Sequence, residues 1–268
     1  MKEIDVYQVL EGKNPKLARR VPRFVVDYLR RTIHEREVNE ILARFGDLEG
    51  IAFVRAALGY MNVRYHSVGM ERLNPEGRYV FASNHPFGGM DGLMLADEVA
   101  RYFGDVRVVV NDLLMYLGPL RGLFVPVNKH GRQDAGSVEA FNNAFASDVP
   151  IVTFPAGLCS RRRRGVVRDL EWKPNFVKKA AAYGRDVVPV YFNGRLSDFF
   201  YRLSNLRTAL GIKANIEMLY LPDEMFRQKG RHFDIRFGEP VRWQSLRDAP
   251  AKVWAGRIRD MVYGLGSE

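Results

Sequence analysis

The sequence has almost no cysteine and no long apolar run. Cys159 is the single cysteine among 268 residues, which excludes an internal disulfide and favours a reducing compartment. No window offers about 18 uninterrupted apolar residues, the length that a membrane-spanning helix needs. The first residues carry Glu3 and Asp5 and lack an apolar core of signal-peptide length. We therefore predict neither a spanning helix nor a secretion signal.

Acidic residues are the scarcer charged type. The chain has 41 lysines and arginines against 31 aspartates and glutamates, a net charge of +10. Such an excess attracts polyanions, and it does not choose among nucleic acid, anionic lipid head groups and an acidic carrier protein. With 47% hydrophobic residues, the composition is that of a globular protein with a sizeable core. The five histidines show no ligand spacing, so no metal is expected.

The first 60 residues are predicted to form a helical region. Apolar residues recur at helical spacing in Phe24–Leu29, Val38–Phe45 and Ile51–Leu58. Arginines lie beside them: Arg19, Arg20, Arg23, Arg30 and Arg31. An amphipathic basic surface of this kind can lie on a membrane. The other interpretation, which charge runs favour more often, is a helical cap on the core with a solvated basic edge.

From residue 62 onward, short β-rich runs alternate with helical stretches. This pattern predicts an α/β fold with a largely parallel sheet covered by helices. The predicted strands are Val63–Val68, Tyr79–Ala82, Val106–Val110, Phe124–Val127, Ile151–Phe154, Val187–Phe192, Ile216–Tyr220 and Phe233–Phe237. The predicted helices are Gly92–Phe103, Gln133–Ala146, Lys173–Tyr183, Phe199–Ala209 and Pro250–Leu265. Ligand sites in such sheets gather at the carboxyl ends of the strands.

A polar segment, Ser83-Asn-His-Pro-Phe-Gly-Gly-Met-Asp91, joins one predicted strand to the next predicted helix. It places His85 at a strand end and Asp91 near a helix start. A carboxylate that binds one imidazole nitrogen fixes the tautomer, and the other nitrogen can then take a proton from an attacking hydroxyl or amine. Asp91 could instead be a simple helix cap. The serine nucleophile-elbow pattern is missing, which favours direct attack by an acceptor over a serine-linked intermediate.

The wider pattern resembles a known family. Asn84-His85, a turn and Asp91 resemble the first signature block of the phospholipid/glycerol acyltransferase superfamily, the PlsC-type enzymes. Four residues usually separate the His from the Asp in that block, and five do so here. The segment is especially similar to the hemolysin-like acyltransferase branch, in which the longer spacing is familiar. The resemblance implies a PlsC-type α/β fold, His85 as the catalytic base and Asp91 as the carboxylate that orients it.

Two later segments resemble further blocks of this family. Residues 118–129, a glycine and an apolar strand that end at Lys129, resemble the second block. The resemblance implies that Lys129 contacts a phosphate or carboxylate of a substrate. Val187–Tyr191 resembles the fourth block, a strand with Val-Pro-Val that packs against the acyl chain or the acceptor.

Phe154-Pro-Ala-Gly-Leu-Cys-Ser160 resembles the third block, commonly Phe-Pro-Glu-Gly-Thr-Arg-Ser. The resemblance implies that Gly157 and Ser160, like Asn84 of the first block, belong to the substrate-binding site. Ala156 stands where the family usually has an acidic residue that is associated with a glycerol-phosphate acceptor. This difference favours another acceptor, such as a hydroxylated or amino-acid-bearing lipid. The hemolysin-like branch includes enzymes that build glycine- and ornithine-type aminolipids.

Four consecutive arginines, Arg161 to Arg164, follow the third block. Guanidinium groups grip phosphates in bidentate fashion, and we expect Arg161 and Arg162 to bind coenzyme A phosphates, a lipid head group or an acidic carrier protein. A nucleic-acid patch or a solvated loop is the alternative. Cys159 has no adjacent histidine and is interpreted as a structural thiol.

Together these observations predict a helical N-terminal region at 1–60, with a possible membrane contact, and an α/β acyltransferase domain at 61–268. The expected reaction moves a fatty acyl group from an acyl-carrier-protein or acyl-CoA thioester to a hydroxyl or amine of a lyso-lipid or aminolipid acceptor. Backbone N–H groups near Gly88 or Gly157 are candidates for holding the oxyanion. No cofactor is expected beyond the acyl donor.

The expected partners are the acyl donor, the lipid acceptor and a membrane surface, at a cytoplasmic location peripheral to the inner face of the membrane. Two alternatives stay open at this point. A thioesterase or lipid hydrolase would use the same pair of residues to activate water. A basic nucleic-acid-binding protein would be non-enzymatic, but the chain lacks a recognisable nucleic-acid-reading motif, so nucleic acid is not an expected partner.

Overall fold

The computed structural model describes residues 4–13, 15–111, 114–115, 117–127 and 135–267. Helices fill the N-terminal 60 residues, as predicted. They are α1 (Val6–Lys13), α2 (Pro15–Ala18), α3 (Arg23–Thr32), α4 (Glu35–Phe45) and α5 (Gly50–Tyr60). The apolar side of α5 buries Phe53, Val54 and Leu58 in the main core. The N-terminal helices therefore share a core with the α/β part.

The strands form one large sheet and one hairpin. They are β1 (Arg64–Val68), β2 (Tyr79–Ser83), β3 (Arg107–Asn111), β4 (Phe124–Val127), β5 (Ile151–Thr153), β6 (Arg161–Arg163), β7 (Val166–Arg168), β8 (Asp186–Phe192) and β9 (His232–Phe237). The seven-stranded sheet has the order β1-β9-β8-β2-β5-β3-β4. Strands β8, β2, β5, β3 and β4 are parallel, whereas β9 and its parallel neighbour β1 run in the opposite direction. The predicted α/β class with a largely parallel sheet is confirmed.

Helices cover both faces of this sheet. They are α6 (Met90–Phe103), α7 (Ala135–Ala146), α8 (Asn175–Tyr183), α9 (Asp198–Ala209), α10 (Leu221–Phe226) and α11 (Ala251–Leu265). Strand β2 shows why both faces are needed, since all five of its residues are buried. Its side chains alternate: Phe81 enters the core with α5, α6 and α9, and Val80 enters the core with α7, α8 and α11.

One predicted strand is wrong. Ile216–Tyr220 forms a 3₁₀ turn instead, followed directly by α10. Glu217 explains the difference, because its carboxylate is fully buried and bonded to Arg161 and Arg207. Pairing one carboxylate with two arginines fixes this segment by side-chain contacts rather than by a strand ladder.

The arginine run forms two strands that the sequence pattern does not predict. Strands β6 and β7 pair antiparallel across the two-residue turn Arg164-Gly165, where both residues have positive φ angles of 50° and 83°. Positive φ at both central positions is the geometry of a type I′ hairpin turn. The arginines therefore belong to an ordered hairpin that stands beside the end of β5.

No helix in the described part of the chain is long and apolar enough to cross a membrane. The loops that leave the carboxyl ends of β2, β5 and β8 lie at one edge of the sheet, because these strands are neighbours and parallel. Three of the four segments with family resemblance follow or form these strands. The sheet thus brings the first and third motif loops together.

Candidate active site

His85 lies two residues beyond the end of β2. Its Nδ1 is 3.0 Å from Oδ2 of Asp91, the second residue of α6. The imidazole stacks on the ring of Phe154, with centroids 4.1 Å apart and an interplanar angle of 26°. The side chain of His85 is 16% exposed, whereas Asp91 is fully buried. The pair proposed from the sequence is therefore in contact, with its carboxylate inside and its imidazole open to one side.

The Asp91 carboxylate is held by backbone N–H groups as well as by His85. Oδ2 accepts a hydrogen bond from Phe87 N at 3.0 Å, and Oδ1 accepts one from Gly92 N at 2.9 Å. The amino end of α6 favours a negative charge at this place. The N-cap of α6 is Gly89, so the simple helix-cap interpretation of Asp91 is wrong. The contact with His85 fits the orienting role, which stays a prediction.

The turn between His85 and Asp91 depends on a close approach. Gly88 has a φ of +72°, and a Cβ atom built there would lie 2.9 Å from Cδ2 of Leu221 and 3.3 Å from Cβ of Cys159. A side chain at this position would be strained and would have to move the side chain of Leu221, the first residue of α10. The fifth residue in the His–Asp spacing is accommodated by this tight glycine turn, and the geometry of Asp91 is intact.

The second ring nitrogen of His85, Nε2, has no hydrogen-bond partner among the described residues. Nδ1 is committed to a carboxylate, which makes the Nδ1–H tautomer the favoured one. Nε2 is then an acceptor lone pair at the open side of the ring. This arrangement can remove a proton from a hydroxyl group that approaches the sheet edge.

The loop of the third motif holds the backbone of His85 in place. Ser160 N donates to the carbonyl oxygen of His85 at 2.8 Å, and Ser160 Oγ donates to Oδ1 of Asp169 at 2.6 Å. Ser160 is buried. Gly157 N donates to Phe154 O at 2.9 Å in the turn that carries the stacking ring. Ser160 and Gly157 thus fix the position of His85 and Phe154, and their roles in substrate binding stay predictions.

Asp169 is a site residue that the sequence did not reveal. Its buried carboxylate accepts hydrogen bonds from Ser160 Oγ and, at 2.9 Å, from Trp172 Nε1, and it lies 3.3 Å from the backbone nitrogen of His85. Burial raises the pKa of Asp169 above its usual value, against the opposing effect of these donors. A lone Asp that follows an arginine hairpin matches no motif, so only the structure connects it to His85.

Asn84 joins two strands instead of facing the open side. Its amide exchanges two hydrogen bonds with the backbone of Phe192 at the end of β8, at 3.0 Å to the oxygen and 2.8 Å from the nitrogen. The side chain is buried. Asn84 therefore fixes where the chain leaves β2, and this sets the starting point of the His85 loop.

The two arginines expected to grip phosphates lie in different surroundings. Arg161 is only 5% exposed; Nη2 is 2.9 Å from the buried Glu217 and Nη1 donates to the carbonyl of Cys159 at 2.8 Å. Its guanidinium is fully engaged inside the protein, which differs from the expected phosphate ligand. Arg162 is partly exposed and pairs with Asp198 at 2.7 Å. Of the two, only Arg162 is accessible to a substrate.

Cys159 and Lys129 are the remaining residues that the sequence singled out. Cys159 is buried, and burial raises the pKa of its thiol to about 11, as expected of a structural thiol rather than a nucleophile. Lys129, expected to contact a substrate phosphate or carboxylate, lies outside the described residues, so its role stays a prediction. No group of three metal-ligating side chains occurs within the described ranges.

A histidine at a strand end, bonded to a buried carboxylate, is an arrangement that can activate a hydroxyl, an amine or water. Comparison with known proteins decides the class more narrowly. The family model described as acyltransferase matches residues 8–263. The chain therefore belongs to the acyltransferase family, which confirms the resemblance to the phospholipid/glycerol acyltransferase superfamily.

Two curated relatives cover nearly the whole chain. A lyso-glycine lipid O-acyltransferase of Bacteroides thetaiotaomicron is 46% identical over 265 residues, which is 98% of this chain and 97% of that protein. A lyso-glycine lipid O-acyltransferase of Phocaeicola vulgatus is 43% identical, covering 98% of this chain and 95% of that protein. The protein is thus an acyltransferase, and neither a hydrolase nor a nucleic-acid-binding protein is supported.

A solved structure is also similar, the 1-acyl-sn-glycerophosphate acyltransferase PlsC of Thermotoga maritima. It matches with a TM-score of 0.45 and 13% identity, over 90% of this chain and 94% of that one.

Proposed function

We propose that this acyltransferase moves a fatty acyl group from a thioester donor, acyl-carrier protein or acyl-CoA, to the hydroxyl of a lyso-glycine lipid. The observation that carries the proposal is the geometry of His85. Nδ1 is bonded to the buried Asp91 at 3.0 Å, and Nε2 is unpartnered among the described residues at the open side of the ring. A hydroxyl acceptor needs such a base, because an alcohol is a poor nucleophile until its proton is removed.

The proposed reaction is a direct transfer. His85 Nε2 takes the proton as the acceptor oxygen attacks the thioester carbonyl carbon, and the resulting imidazolium is stabilised by Asp91. The C–S bond then breaks as the tetrahedral intermediate collapses, and His85 returns the proton to the departing thiolate sulfur. The products are an ester and a free thiol. Cys159 takes no part, because its thiol is buried and its pKa is raised.

We assign the oxyanion contact to the Gly88 turn rather than to Gly157. The N–H of Gly157 already donates to Phe154 O. The N–H of Gly88 donates to no described residue and lies within the loop that carries His85. A backbone N–H aimed at the developing negative charge is worth far more in the transition state than in the ground state.

Two observations favour a glycine-lipid acceptor over a glycerol-phosphate one. Ala156 stands where the family usually has an acidic residue associated with the glycerol-phosphate acceptor, and it is buried. Both curated relatives are named for a lyso-glycine lipid and for O-acylation. An ester to a hydroxyl is therefore the preferred product over an amide.

The donor, the location and the cofactor requirement belong to the same proposal. Of the two arginines expected to bind phosphate, Arg162 is the accessible one, and its guanidinium is suited to a donor phosphate. The single cysteine is compatible with a reducing interior. We propose a peripheral protein at the inner face of the membrane, with the helical region 1–60 contributing to contact with the bilayer, and with no bound cofactor beyond the acyl donor.

Product analysis with the purified full chain tests the proposal. Radiolabelled acyl-CoA and acyl-carrier protein are each offered with a lyso-glycine lipid, with lysophosphatidate or without acceptor. We expect labelled ester only with the lyso-glycine lipid. Label found only in free fatty acid with every acceptor, or an equal rate with lysophosphatidate, would contradict the proposed acceptor.

A further inference from the structure

Apolar side chains are exposed together on α9 and the segment that follows it. Leu206 follows Phe199 by about two helical turns, and Leu210, the residue after α9, follows Leu206 by about one turn, so the three share one face. Leu206 is 57% exposed and Leu210 is 65% exposed. The following segment exposes Ile212, Ile216 and Leu219. We call these six residues the α9 apolar surface, a grouping larger than scattered surface hydrophobes would give.

The α9 apolar surface has a fixed shape. Arg207 donates to the carbonyl of Ile212 at 2.8 Å and to Oε2 of the buried Glu217, also at 2.8 Å. The opposite side of α9 is anchored by Phe200 and Tyr201 in the main core. The exposed leucines are therefore displayed by a rigid element, and this limits the entropy lost when a partner binds them.

Aromatic residues extend this surface towards the N-terminal helices. The rings of Phe199 and Tyr220 lie 4.9 Å apart, and the hydroxyl groups of Tyr220 and Tyr28 are 2.5 Å apart. Tyr28 is one helical turn beyond Phe24 on α3, and Phe24 is 72% exposed. The basic amphipathic helix α3 and the α9 apolar surface are thus joined.

The charges on the α9 apolar surface indicate which kind of partner it binds. The exposed charged residues between Phe199 and Leu219 are Arg202 and Lys213, both basic, whereas Arg207 and Glu217 pair with each other. A second copy would bring the same positive charges against themselves, within a chain of net charge +10. An anionic lipid bilayer is complementary in both respects, since it accepts leucine side chains below its head groups and attracts lysine and arginine at its surface. We propose that the α9 apolar surface docks on an anionic membrane.

This docking would place the reaction at the bilayer. Leu221 follows the 216–220 turn directly and packs against Gly88 of the His85 loop. Glu217 within that turn is bonded to Arg161, the neighbour of Ser160, which holds the His85 carbonyl. The membrane element is therefore built onto the catalytic loops. Its benefit for acyl transfer rests on the proposed function, whereas membrane binding itself does not.

Vesicle sedimentation tests the docking surface. The full chain, the variant Leu206→Gln/Leu210→Gln and the control Val253→Gln/Met261→Gln are mixed with vesicles of phosphatidylglycerol and phosphatidylcholine. Val253 and Met261 are also exposed, at 43% and 44%, and lie on α11 in the layer on the other side of the sheet. We expect the α9 variant to bind roughly tenfold or more weakly, because two inserted leucines are lost, and the control to bind like the unmodified protein. Pure phosphatidylcholine should bind the unmodified protein less than the anionic mixture.

Acyl transfer to acceptor dispersed in detergent separates the two proposals. The α9 variant should keep its rate there, because none of its changes lies at His85, while its rate on vesicle-embedded acceptor should fall. If no variant and no unmodified protein transfers acyl groups in detergent, the proposed function fails while the binding result still stands. Equal vesicle binding by the α9 variant and the unmodified protein would overturn the docking surface. The docking surface would also be overturned if the unmodified protein were a dimer that Leu206→Gln/Leu210→Gln converts to a monomer while vesicle binding stays unchanged.

Discussion

The loops that follow β2 and β5 lie side by side at the same sheet edge, and they use their polar side chains in opposite ways. The β2 loop turns His85 towards the open side and keeps Asp91 behind it. The β5 loop turns Ser160 inward onto Asp169, and the Arg161 that follows it inward onto Glu217. The first loop therefore presents the proposed base, and the second holds it in place.

The two loops show that a motif match predicts where a residue lies but not whether its side chain contacts substrate. Both loops resemble conserved blocks of an acyltransferase, and both occur where the pattern places them. A residue that matches a motif is not available to substrate when its side chain is bonded to a buried partner. Arg161 is bonded to the buried Glu217, which lies 56 residues further along the chain.

Among the changes that compare the two loops, Asp91→Asn should have the largest effect. An amide can donate to Nδ1 and hold the wrong tautomer, so Nε2 would no longer be the acceptor. We expect the maximal rate of acyl transfer to fall by roughly 10²- to 10⁴-fold, the range for loss of a general base. Steady-state kinetics measures the rate, and circular dichroism checks the fold. A rate within a few-fold of the unmodified enzyme would contradict the orienting role of Asp91.

Arg161→Met should mainly destabilise the protein. It leaves Glu217 buried with only Arg207 as a charged partner, and breaking a buried pair costs about 3–5 kcal/mol. Arg162→Met is the matched control, because its partner Asp198 is exposed and a surface pair contributes about 0–1 kcal/mol. Urea unfolding gives both free energies. Equal small losses would show that the guanidinium of Arg161 is free to bind phosphate, as the sequence suggested.

Ser160→Ala should distinguish positioning from substrate contact. Loss of a hydrogen bond to a buried carboxylate costs about 1–3 kcal/mol, which would loosen Asp169 and, through it, the backbone of His85. We expect kcat to fall about tenfold with KM unchanged, with partial recovery in Ser160→Thr, which keeps the hydroxyl. A raised KM at unchanged kcat would instead place Ser160 in contact with substrate.

The smallest expected effect concerns pH. Because burial raises the folded-state pKa of Asp169, the folded protein binds this proton more tightly than the unfolded chain does. The contribution of Asp169 to stability is therefore present below its unfolded pKa and is lost as the pH rises through its folded pKa. The melting temperature of Asp169→Asn relative to the unmodified protein should increase from pH 4 to pH 7. A difference that stays constant with pH would contradict the raised pKa.

Much of the fold was predictable because most strands of the sheet are recognisable as short apolar runs in the sequence. Buried parallel strands are short apolar runs, and seven of the eight predicted strands occur with bounds shifted by one residue at most. Ile216–Tyr220 has the same appearance but forms a turn. Its conformation is set by the ion pairs of Glu217 with Arg161 and Arg207, and contacts of this range leave no local pattern.

The site was predictable only in part, for the same reason. His85 and Asp91 are close in sequence and carry a family pattern, so their contact could be expected. Asp169 reaches His85 from 84 residues away, beyond a hairpin that the sequence pattern does not predict. The basic helices of residues 1–60 are where the sequence predicts a membrane contact, whereas the most exposed leucines, Leu206 and Leu210, lie on α9 and directly after it.

The role of His85 is tested most directly by acyl transfer with His85→Ala, measured in a single turnover at saturating donor and acceptor. His66→Ala is the matched control, because His66 is exposed on β1 and lies outside the site. If His85 is the base, the control should transfer acyl groups at the unmodified rate, and His85→Ala should be slower by roughly 10²- to 10⁴-fold while binding both substrates. A folded His85→Ala protein that transfers at the rate of the control would contradict the mechanism.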